Sequence, residues 1–116
     1  MLAGTDSGVS NDYMFPGWSL HEELENLVKA GFTPLEALQT ATLNPAKYRG
    51  RSGTEGTVEK GKIADLLLLR SNPLQSIGRT REIDAVIVRG RYYSRNDLDH
   101  LLESVEKRAA AAEGRK

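Results

Sequence analysis

The sequence predicts an α+β fold: a helical hairpin, a small and mostly antiparallel sheet of three or four strands, and a carboxyl-terminal helix. Three observations predict it. Two capping boxes lie within residues 19–36, each followed by apolar residues at helical spacing. Residues 57–93 hold β-branched and leucine-rich runs separated by Gly and Asn-Pro turn signals. A further cap at Ser94 opens another apolar stripe of helical period.

Residues 1–18 are rich in Gly, Ser, Asn and Asp and read as loop, apart from a strand stub at Met1-Leu2-Ala3. Ser19 and Glu22 have the spacing of a capping box, so the first helix is expected over residues 20–30, with Leu20, Leu24, Leu27 and Val28 inward and Gly31 as its left-handed stop. Thr33-Pro34-Leu35-Glu36 is a second box with proline in the first turn, where its missing N–H has no helical partner to lose. The expected buried stripe of that helix is Leu35, Leu38, Ala41 and Thr42. Asn44-Pro45 reads as the cap and first residue of a short helical turn ending near Gly50.

Residues 49–56 hold three glycines and read as a connector. Residues 57–59 are expected as a short strand, 59–62 as a turn, and 63–69 as a strand whose four consecutive leucines suggest cover on both faces. Asn72-Pro73 breaks it. Residues 84–89 and 91–93 are expected to pair as a hairpin around Gly90. Ser94 and Asp97 cap the last helix, with Leu98, Leu101, Leu102 and Val105 on one stripe, and the chain from Glu106 onward is expected to fray.

With 116 residues, of which 39% are hydrophobic and 28% charged, the chain has the make-up of one globular domain. A complete eight-stranded α/β barrel takes roughly 250 residues and is excluded. Lys plus Arg and Asp plus Glu number 16 each, so no net field favours nucleic acid or an anionic membrane. The absence of cysteine excludes thiolate nucleophiles and cysteine metal sites, and together with the lack of a signal-like start it fits a cytoplasmic protein.

Asp6, within Gly4-Thr5-Asp6-Ser7-Gly8, is the acidic residue placed as a functional carboxylate is, after a strand stub and between glycines. A carboxylate there can contact a divalent cation or accept a proton from water. Spacing alone favours a plain turn, since Asp, Ser and Gly are what turns are made of. The Asp-Ser-Gly triplet also occurs in aspartic proteases, but that nearly all-strand fold does not accommodate three capped helices. His21, in a first helical turn, and His100, off the last stripe, are expected at the surface. Tyr92, Tyr93 and Arg91 are expected to pack in the hairpin and not to stack on bases. The basic tail Lys107, Arg108, Arg115 and Lys116, interrupted by Glu113, reads as solvated.

Residues 19–24 (SLHEEL), 30–38 (AGFTPLEAL) and 41–46 (ATLNPA), followed by Gly56-Thr57-Val58-Glu59-Lys60-Gly61-Lys62-Ile63-Ala64-Asp65-Leu66, Asn72-Pro73-Leu74 and Val86-Ile87-Val88-Arg89-Gly90, resemble the carboxyl-terminal part of amidohydrolase-superfamily enzymes, in the imidazolonepropionase-like and prolidase-like branch. The resemblance implies an incomplete barrel: residues 1–50 as the end of the hydrolase barrel, 51–93 as the last strands of a small β-sandwich, and 94–116 as a terminal helix and tail. It implies a hydrolase of carbon–nitrogen bonds in small molecules, dependent on a divalent metal, with zinc first. Asp6 then matches the carboxylate after the eighth strand, which contacts the metal and shuttles a proton. The family's other ligands, including its His-x-His, are missing from this sequence, so the isolated chain is expected to hold no metal and to be inactive. A non-catalytic interaction module built on the same tail is the alternative. In complete members the sandwich strands pair with amino-terminal strands; without them, homo-oligomerisation through strand edges or helix exchange is expected.

Overall fold

A computed structural model describes residues 1–5 and 17–113 of the chain. The elements are α1 (Trp18–Lys29), α2 (Pro34–Ala41), α3 (Leu43–Tyr48), β1 (Leu66–Leu69), a 3₁₀ segment (Ile77–Arg81), β2 (Ile83–Val88), β3 (Arg91–Tyr93) and α4 (Arg95–Glu113). They form a helical layer beside a three-stranded antiparallel sheet in the order β1-β2-β3.

α1 starts earlier than its sequence suggests. Gly17 stands at the N-cap and no side chain caps the helix, so the box expected from Ser19 and Glu22 does not form. Ser19 instead lies inside the first turn and is buried. At the other end Phe32 N–H donates to the Leu27 carbonyl and Gly31 N–H to the Val28 carbonyl. This 6→1 and 5→2 pair is a Schellman stop, and it needs the positive φ of 115° that Gly31 supplies.

α2 opens as expected. The Thr33 hydroxyl accepts from Glu36 N–H, Glu36 Oε1 accepts from Thr33 N–H, and Pro34 occupies the first helical position. The Thr33 bonds hold the Glu36 carboxyl below its usual range, the backbone bond contributing most. Its buried stripe is shifted from the expected one: Ala37 and Thr40 are inside, Leu35 is 52% exposed and Thr42 is exposed. The reason is size. Ala37 lets α1 approach closely, so Leu24, Leu27, Ala37 and Ile77 close one cluster, flanked by Ala3, Val28, Phe32, Leu38 and Ala41.

Between α2 and α3 the helix breaks at Thr42 (φ −127°, ψ −81°). Pro45 has no N–H to give the Ala41 carbonyl, so an uninterrupted helix is unfavourable here. Two hydroxyls take up carbonyls near the break: Thr40 donates to Ala37 and Thr42 to Leu38. Asn44 and Pro45 lie inside α3 instead of starting it.

Residues 57–59 form no strand. Thr57 and Glu59 are gathered by Lys62, whose ammonium donates to Thr57 Oγ1 (2.6 Å) and the Ser52 carbonyl (2.7 Å) and pairs with Glu59 (3.1 Å). The connector is thus a loop folded on one amine. Gly56 (φ 99°) lets this loop touch α3, since a Cβ there would lie 2.7 Å from the Ala46 Cβ.

β1 is shorter than expected and is not covered on both faces: Leu67 is 52% exposed and Leu68 is exposed too. Asn72 ends this region by accepting Leu74 N–H on its side chain and Gln75 N–H on its carbonyl. β2 and β3 form the expected hairpin, turned by Arg89 (φ 49°) and Gly90 (φ 81°), the signature of a type I′ turn. The 3₁₀ segment carries no signal in the sequence.

α4 begins with the capping box expected of it, Ser94 and Asp97 exchanging backbone bonds of 3.0 and 3.1 Å. It does not fray at Glu106 but runs to Glu113, because Ala109, Ala110, Ala111 and Ala112 are the strongest helix formers available. None of its described residues is buried.

Replacing Gly56 by Ala should cost about 3 kcal/mol, since it adds a contact with Ala46 to backbone strain. Gly61→Ala, at φ 90° with open space around it, should cost about 1 kcal/mol. Urea denaturation of both variants checks this, and equal losses would remove the steric role of Gly56.

Candidate functional site

The leading segment is held at the break between α2 and α3. Ala3 N–H donates to the Thr40 carbonyl (2.9 Å), one of the terminal carbonyls that the broken helix leaves for an outside partner. Asn44 Nδ2 donates to the Met1 carbonyl (2.8 Å). Ala3 also packs on the core cluster. Met1-Leu2-Ala3 is therefore a hydrogen-bonded segment and not a strand among the described residues. Asp6, the candidate metal contact and proton acceptor, lies outside the described residues, three positions beyond the Ala3 bond.

His21 is not the surface histidine expected. It is half-buried, with Nδ1 2.9 Å from Thr80 Oγ1. The Thr80 hydroxyl also donates to the Ile77 carbonyl, so its single proton is used and Nδ1–H is the donor to it. The neutral ring then presents Nε2 as an acceptor. Burial is the main cause that lowers the His21 pKa; the Arg81 guanidinium adds to it and Glu25 opposes it.

Arg81 ties the 3₁₀ segment to α1. It pairs with Glu25 at 3.1 Å and stands 4.5 Å over the Trp18 ring, which meets His21 edge-on at 6.0 Å. Both ions are partly exposed, so solvent weakens the pair, and the stacking on Trp18 adds packing to it. His100 is exposed on α4, as expected, and borders Arg91, Tyr93 and Asp97. Tyr92 and Tyr93 pair with β2, as expected of a hairpin.

The segment Gly56-Thr57-Val58-Glu59-Lys60-Gly61-Lys62-Ile63-Ala64-Asp65-Leu66 has a structural task. Beyond the Lys62 hub, the Ala64 carbonyl accepts Gly90 N–H (2.9 Å) and the Asp65 carboxylate accepts Arg89 N–H (2.8 Å), fixing the hairpin turn to the loop. Sequence reasoning missed Thr80 and Arg81, because no periodicity marks the 3₁₀ segment that carries them.

A hydrogen-bonded lead, a helical hairpin and a three-stranded antiparallel sheet define a mixed helix-and-sheet unit. The sequence description of the amidohydrolase family matches residues 1–92. The N-substituted formamide deformylase of Arthrobacter pascens is 42% identical over 52 residues, 44% of this chain and 10% of that protein. The imidazolonepropionase of Thermoplasma acidophilum is 41% identical over 66 residues, 53% of this chain and 16% of that protein. A Xaa-Pro dipeptidase solved with methionine in its active site superposes with a TM-score of 0.69 at 33% identity, covering 78% of this chain and 21% of that one. The chain belongs to the amidohydrolase family. It spans between 10% and 21% of the lengths of these relatives.

Because burial and Arg81 hold His21 below the ordinary histidine value of about 6.5, the unfolded chain binds the extra proton first as pH falls. Between the folded pKa and about 6.5 stability therefore rises with pH and is lost on acidification. Comparing urea midpoints at about pH 7.5 and about pH 5.5 should show a drop for the parent chain and a flatter response for His21→Gln. Identical slopes would contradict the assignment.

Proposed function

We propose that this chain is the closing part of a metal-dependent hydrolase of carbon–nitrogen bonds and is inactive by itself. Residues 1–50 would end the barrel, 51–93 supply the last strands of the flanking sandwich, and 94–116 form a terminal helix and tail. The observation that carries the reading is the continuous family match over residues 1–92, which runs through both the helical half and the sheet. The relatives, a formamide deformylase and an imidazolonepropionase, support a small-molecule substrate with a carbon–nitrogen bond. The cytoplasm is the compartment we assign; no described helix is long and apolar enough to cross a membrane.

Asp6 is the proposed catalytic and metal-contacting residue, in the role the family resemblance implies. The bonds that hold Met1 and Ala3 support it, because they fix the segment that leads into Asp6. Among the described residues no group of three His, Cys, Asp or Glu side chains can hold a metal ion, so these residues do not fit the family's cation by themselves. The divalent cation, zinc first, belongs in this reading to ligands on other sequence. That same observation favours the second reading, a non-catalytic interaction module built on the amidohydrolase tail. Self-association through strand edges or helix exchange belongs to either reading, supported by the exposed leucines of the edge strand β1.

Titration of the 116-residue chain with Zn²⁺ should give no saturable heat, and a tight stoichiometric site would overturn the incomplete-site reading. In the enzyme that contains this segment together with the remaining ligands, Asp6→Asn should lower kcat by about 10²-fold or more. Unchanged turnover there would instead support the non-catalytic module.

A further inference from the structure

The family match ends at residue 92, and α4 lies beyond it. This helix of 19 residues buries none of its described side chains, although Leu101, Leu102 and Val105 are 53%, 58% and 62% exposed. In proteins most helical stability comes from packing of an apolar face, so a helix with an open apolar stripe is stabilised further by whatever covers that stripe. Leu98, Leu101, Leu102 and Val105 border a groove whose other wall is Ile83 and Val86 of β2.

The stripe and its charges are self-complementary. Under a two-fold axis between Leu101 and Leu102, Leu98 of one copy meets Val105 of the other and Leu101 meets Leu102, as an isologous contact requires. At 100° per residue Asp97 and Arg108 fall on one flank of the stripe, and Arg95 and Glu106 fall on the other. Antiparallel helices set like flanks together with their ends reversed. Asp97 then faces Arg108 of the second copy, and Arg95 faces Glu106. Within the chain Arg95 already pairs with Asp99, whereas Glu106 and Arg108 are exposed and form no ion pair among the described residues.

We infer that the α4–β2 groove is the docking site of a second copy of this chain, whose α4 lies in it antiparallel, in register about Leu101 and Leu102. This rests on self-association alone and not on the hydrolase reading, so either can fail without the other. The contact is a helix pair and leaves the β1 edge free.

The absence of cysteine makes the register directly testable. Residues 98 and 105 are about 10.5 Å apart along the helix, beyond the roughly 7 Å that a disulfide spans between Cα atoms. Leu98→Cys mixed with Val105→Cys should oxidise to a covalent dimer, while Leu98→Cys alone should not. Light scattering should find the parent chain dimeric, Arg108→Glu weakened about tenfold, and Leu101→Asp/Leu102→Asp monomeric. The inference is overturned by a parent chain that stays monomeric at high concentration. It is equally overturned by Leu98→Cys cross-linking alone as readily as the mixture, or by a dimer that survives Leu101→Asp/Leu102→Asp, which would assign the contact to strand edges.

Discussion

The break between α2 and α3 is the constraint on which the leading end of the molecule depends. A proline four residues beyond Ala41 cannot return a helical N–H, and the chain turns at Thr42 instead. That leaves the Thr40 carbonyl for an outside donor, and the donor is Ala3. Asn44, freed from the capping role its position suggests, takes the Met1 carbonyl. One local defect in a helix thereby holds Met1 and Ala3, and it does so from residues 40–45, distant in sequence from the segment they hold.

A second constraint joins the helices to the sheet. Gly56 brings the connector against Ala46, Lys62 gathers the loop, and Ala64 with Asp65 holds the Arg89-Gly90 turn. The segment that looked most diagnostic of the family thus makes the bonds that join the connector to the sheet. It is a clasp, and its glycine and charged residues follow from close approach and hydrogen bonding. Arg81, paired with Glu25 and stacked on Trp18, forms a smaller link between the 3₁₀ segment and α1.

The sequence made the local signals legible and left the tertiary ones hidden. Thr33-Glu36 and Ser94-Asp97 cap as their spacing implies, because capping is decided within four residues. The Ser19-Glu22 pair has the same spacing and fails, since Gly17 lets α1 start earlier and packing draws Ser19 inside. Leu35 looks like core by type, yet it is Ala37 that takes the buried place against Leu24 and Leu27. The expected strand at residues 57–59 lost to Lys62, a partner no local pattern names. Of the candidate site, Asp6 rests on the family motif and lies outside the described residues, and His21 was misread because Thr80 and Arg81 come from a segment without periodicity.

Hydrogen exchange at the Ala3 amide tests most directly whether the α2–α3 break pins the leading segment. The account predicts that Ala3 exchanges much more slowly than an unstructured amide and that Asn44→Ala, by freeing Met1, speeds it. An Ala3 amide exchanging at the unstructured rate in the intact chain would contradict it, and the structural support for Asp6 would go with it.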